Sequence, residues 1–141
     1  FRDIEIDESS SLEELHNSII KSFGFLGNEM ASFYKTNNNW SQGDELPLND
    51  FGPENPSMKD KELNTFINYE NNKLLYVYDF LNLWTFFIEL IEIGKDRKGV
   101  AYPNLINSEG EVPEEAPEKN FENNQNKIDD SNIEKNEENF Y

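Results

Sequence analysis

The sequence predicts an α+β fold with an antiparallel sheet built on a central aromatic β-hairpin, with one main helix and a short second helix packed on it. Three observations carry this: a capped amphipathic segment at residues 12–23, a dense aromatic stretch at residues 73–93 that alternates like paired strands, and a polar, acidic last quarter. With 141 residues, 35% hydrophobic and 13% aromatic, the chain is long enough for one cored domain.

At the start, Ile4 and Ile6 alternate with Asp3, Glu5 and Asp7, the period of a half-buried strand. The chain opens at Phe1 inside that strand, so further residues are expected before it. Ser11 and Glu14 form an S-x-x-E capping box, in which each side chain accepts from the other's amide. Leu12, Leu15, Ile19, Ile20 and Phe23 then follow helical spacing, and Gly24 stands where a left-handed terminal residue belongs. A second strand is expected at residues 30–36, then a long polar loop with a short strand near residues 45–48. Asp60 can cap a short helix running to Phe66.

In residues 73–93, Leu74, Tyr76, Tyr78 and Phe80 share one face and Leu75, Val77 and Asp79 the other. Trp84, Phe86, Ile88 and Leu90 alternate likewise with Thr85, Phe87, Glu89 and Ile91. A continuous helix competes over the last few residues, but the aromatic and β-branched content favours strands. The reading is a hairpin with residues 81–83 as its connection, central in the sheet and covered on both faces.

Charge is unevenly placed. Residues 1–107, the expected core domain, carry 18 acids against 9 bases, whereas residues 108–141 carry 11 against 3. That last segment has few apolar residues and no period, so ordering it would bury too little surface to offset the entropy lost. It reads as a disordered acidic tail. A net charge of -17 repels nucleic-acid phosphates and anionic membranes, and no basic stripe counters it. No apolar run approaches the length of a spanning helix. The absence of cysteine fits a reducing compartment, so a cytoplasmic location is expected.

Phe1-Arg2 at the start, Leu12, Leu15, His16, Ile19, Phe23, Gly24 and Phe25 on the helix, Tyr76, Tyr78, Asp79, Phe80 and Trp84 in the hairpin, and Tyr102-Pro103, Gly110, Pro113, Glu114 and Glu115 near the end form an ordered set of landmarks. This set resembles the helix, hairpin and C-terminal motifs of the Ri-plasmid ORF-three-like family, also described as an insertion-element passenger protein family, with Phe1-Arg2 in place of a Trp-Arg pair. The resemblance covers residues 1–116. The chain departs from the family pattern in the hairpin, where Leu81-Asn82 replaces Gly-Asp and Thr85-Phe86 replaces a Glu-His pair, and it lacks the family's C-terminal cysteines. The resemblance implies an α+β fold with an antiparallel sheet and a link to mobile elements, with no established activity.

His16 is the only histidine. Its place beside the apolar helix face favours a structural, hydrogen-bonded role over catalysis. Asp79, between Tyr78 and Phe80, needs partners if buried, and bonding turn amides is the simplest way to supply them. The sharper alternative is that His16, Asp79 and Trp84 converge on one pocket. Tyr76, Tyr78 and Phe86 read most simply as core; exposed, they would form a partner surface. Asn37, Asn39 and Ser41 alternate like calcium ligands, but Gly43 is one place late and Leu48 stands where a bidentate glutamate is needed. No metal site or cofactor is expected.

These readings favour a non-catalytic protein-interaction or accessory domain with a protein partner. Its rivals are a carboxylate-metal hydrolase and a DNA-mimicking regulator. The chemistry disfavours a recombinase, because phosphoryl transfer leans on cationic clamps and Arg2 and Arg97 are the two arginines in the sequence.

Overall fold

In this computed structural model the described residues are 1–47 and 61–117. Helix α1 (Leu12–Phe23) forms where its spacing and caps require. The Ser11 hydroxyl accepts from the Glu14 amide at 3.1 Å, and the Glu14 carboxylate accepts from the Ser11 amide at 2.9 Å. Two amides that a helix start leaves unpaired are thereby satisfied. At the other end Gly24 takes φ 79° and ψ 24°, a left-handed turn that any Cβ would strain.

Strands β2 (Ala31–Lys35), β3 (Glu45–Pro47), β4 (Lys73–Tyr78) and β5 (Trp84–Glu89) form an antiparallel sheet in the order β3-β2-β4-β5. Strands β1 (Arg2–Glu5) and β6 (Asn104–Ser108) pair antiparallel in a separate two-stranded sheet. A short helix, α2 (Leu63–Phe66), precedes β4. One face of the larger sheet carries the core. Leu12, Leu15, Ile19 and Ile20 of α1 pack there with Phe33, Leu74, Tyr76 and Tyr78, and Leu63 closes one side. The register sets Tyr76 opposite both Phe33 and Phe86, and Tyr78 opposite Trp84, so large rings face the helix in rows.

The hairpin corrects the expectation in two respects. Only β4 is interior, buried from Leu74 onward, whereas β5 is the sheet's edge strand and half-exposed. The connection is also longer, occupying residues 79–83. Asp79 leaves the strand at φ 68°, and its carbonyl accepts from the Asn82 and Leu83 amides, so Asp79 and Phe80 belong to the turn. Strand β6 was not anticipated: Asn104-Leu105-Ile106-Asn107-Ser108 is too short and polar to show a period, and its pairing with β1 spans the domain. The expected helix cap Asp60 and the end of the short strand at Leu48 lie outside the described residues; α2 begins from Glu62 with no side-chain cap bond.

Candidate functional site

At the C-terminal end of α1, Gly24 turns the chain so that the Phe25 amide returns to the Ile20 carbonyl at 3.0 Å. This places Phe23 and Phe25 on either side of the turn, against the start of β5. Phe25 meets Trp84 edge-on at 5.0 Å between ring centroids and Tyr78 at 5.1 Å, and Phe23 meets Phe86 edge-on at 4.9 Å. Aromatic pairs at such separations contribute beyond the area they bury. Arg2 closes the group from the other side. Its guanidinium lies 4.4 Å from the Phe23 ring centroid, while Nε donates to the Ser22 carbonyl and Nη1 to the carbonyls of Phe1, Glu109 and Gly110.

Between this aromatic floor and the segment 109–113 lies an open cleft of about 210 Å³, lined by Phe23, Phe25, Trp84, Phe86, Arg2 and Val112 among others. Glu109 and Glu111 stand on its rim. The cleft is therefore apolar at its floor and acidic at one lip, and the cation beside it is already committed to carbonyls and a ring.

The structure does not bring His16, Asp79 and Trp84 together. His16 is buried on α1, with Nδ1 2.5 Å from the Tyr76 hydroxyl. Burial lowers its pKa and nearby Glu13 opposes that shift only in part, so the neutral imidazole is favoured. Burial likewise pushes the Tyr76 phenol well above its ordinary value. A phenol that keeps its proton and an imidazole with one free lone pair satisfy each other when Tyr76 donates to Nδ1. Asp79 is spent within its own turn. Its carboxylate accepts from the Asn82 side-chain amide at 2.7 Å and from the Leu81 and Asn82 backbone amides. The Asn82 bond is the main cause that holds its pKa below the usual carboxylate value, burial opposing it. Trp84 alone of the three lines the cleft.

Of the partner surface considered at Tyr76, Tyr78 and Phe86, the two tyrosines are 0% and 3% exposed and face α1, whereas Phe86 is partly buried against the same core and also lines the cleft. The exposed apolar side chains of this end include Phe80, Leu81 and Leu83 in the turn and Leu26 and Met30 in the α1–β2 loop.

Comparison with known proteins gives these positions a context. The family model for plasmid pRiA4b ORF-3-like proteins matches residues 1–140. The chain belongs to the plasmid pRiA4b ORF-3-like family. Among solved structures it is similar to a protein of unknown function, MM3350, from Methanosarcina mazei Go1, with a TM-score of 0.64 and 25% sequence identity. The match covers 75% of this chain and 58% of that one, so the chain spans less than two thirds of its neighbour's length. None of the curated proteins compared with it matches.

For this ORF-3-like chain, Trp84 and Phe86 stand out in the sequence as candidate site residues, whereas Phe23 and Phe25 show only as helix and family-motif residues, and nothing in the sequence joins Arg2 to them. In the structure Arg2 makes that tie, with hydrogen-bond partners some twenty and a hundred residues away, which the sequence does not signal. Among the described residues, no cluster of three or more His, Asp or Glu side chains is arranged to hold a metal ion. No helix among them is long and apolar enough to cross a membrane.

Proposed function

We propose that this ORF-3-like domain is a non-catalytic interaction or accessory domain, acting alongside the mobile-element functions that its family's plasmid name suggests. The supporting observation is the contrast between two kinds of side chain. His16 and Asp79, the residues best suited to acid–base chemistry, are engaged in internal hydrogen bonds, while the half-buried aromatic rings at the end of α1 and the start of β5 line a cleft. Binding energy at protein interfaces concentrates in such aromatic clusters.

Site-specific photo-crosslinking in cells tests this reading. A photoreactive phenylalanine analogue at Val112, beside the cleft, is expected to capture a reproducible protein adduct. The same analogue at Asn17, on the exposed side of α1, is expected to capture none. Equal capture at both positions, or none at either, would overturn the proposal.

A further inference from the structure

The cleft's size and lip restrict what it takes. Pockets for small molecules and cofactors commonly enclose about 300–1,000 Å³, whereas this one holds about 210 Å³, the scale of a single large side chain. Its floor is built of ring edges and faces from Phe25, Trp84 and Phe86, held by edge-on contacts to one another. Such a floor is preformed for an aromatic or large aliphatic group. The lip contributes Glu109 and Glu111, and Glu114 and Glu115 follow within the same exposed segment. Among the described side chains at the cleft the cation is Arg2, whose Nε and Nη1 donate to four backbone carbonyls rather than to the exposed carboxylates of the lip.

We infer that the cleft anchors an aromatic or large aliphatic side chain of a basic segment in a protein partner, with lysine or arginine residues flanking the anchor and meeting Glu109 and Glu111. This rests on the interaction reading above and specifies its occupant. The division of labour follows from physics. The ring-lined floor supplies the apolar contact and hence residence time, and the carboxylates steer a cationic partner in, an effect that falls with salt. The chain's net charge of -17 adds to the same steering and disfavours a second copy of itself as the occupant.

The test uses the full chain carrying Trp40→Phe, which leaves Trp84 as the sole tryptophan and makes its fluorescence a reporter of the cleft. Three short synthetic peptides are titrated: a central Phe with Lys and Arg flanks, the same flanks around a central Ser, and a central Phe with Glu flanks. Only the first is expected to shift Trp84 emission saturably. Its affinity is expected to weaken roughly tenfold in the double variant Glu109→Lys, Glu111→Lys. Both side chains are exposed, and Glu109 is tied to its neighbours through its backbone, so an unchanged melting profile is expected to show an intact fold.

Equal binding of the Ser-centred peptide would overturn the anchor, since charge alone would then suffice. Equal binding of the Glu-flanked peptide, or no effect of the double variant, would overturn the basic partner while leaving an interaction site. Silence with all three peptides would overturn the inference as a whole, and the crosslinking at Val112 would still decide separately whether the domain binds a protein.

Discussion

His16 shows how a single side chain turns burial into a pH dependence. Its folded pKa lies below the ordinary value of 6.5, chiefly through desolvation, so the unfolded chain takes up its proton first. Stability from this group is complete above about pH 6.5 and is lost as pH falls toward the folded value. Urea denaturation from about pH 7.5 down to about pH 5.5 is expected to show a falling midpoint, and His16→Phe is expected to flatten that slope. Tyr76→Phe removes the only hydrogen bond found at Nδ1 among the described residues and leaves a buried polar nitrogen unpaired. The expected loss is about 1–3 kcal/mol, read from the same denaturation curves. Asp79 has the opposite chemistry and the same sign: its carboxylate is favoured in the fold, so its contribution is present above its ordinary value of 3.8 and is lost in acid. Asp79→Ala is expected to speed amide exchange at Leu81 and Asn82 while leaving β2 unchanged.

At the scale of elements, α1 was legible to the residue because its information is local. The capping box, the apolar spacing and the terminal glycine all lie within residues 11–24. Ser11→Ala is expected to lower stability by about 1 kcal/mol, measured by thermal or urea unfolding. The aromatic hairpin was legible as two strands, but its place in the sheet was not. Whether β5 is interior or at the edge depends on what lies beyond it, and alternation alone reports only that both faces are apolar. The turn is longer than alternation suggests because Asp79 and Leu83 both adopt positive φ; aspartate is among the residues that tolerate this conformation, but leucine gives no such signal. Gly43 carries a signal that period analysis ignores. A Cβ there would sit 2.8 Å from the Lys35 carbonyl oxygen, which also accepts the Gly43 amide. Gly43→Ala is expected to loosen the β2–β3 pairing, seen as faster exchange of the Lys35 amide.

Across the whole molecule, the cleft was the least legible feature because its walls come from four separate parts of the chain. The sequence shows Phe23, Trp84 and Glu109 as separate residues; the packing of α1 on β5 joins the first two, and the β1–β6 pairing with Arg2 brings Glu109 to them. Arg2→Met keeps much of the apolar stem but removes the bonds to Ser22, Glu109 and Gly110. Hydrogen exchange is expected to rise in β1 and β6 while β2 and β4 remain protected. Equal protection in both sheets would show that Arg2 contributes nothing to closing the cleft.

The partnering of Arg2 with Ser108 also sets an order of assembly. On a ribosome the chain emerges from its first residues, so β1 waits unpaired until β6 has been made, while α1, β2, β4 and β5 can already condense around Tyr76. The small sheet closes last, and the acidic lip of the cleft arrives with it. A nascent chain would thus acquire its central fold well before its cleft is walled in.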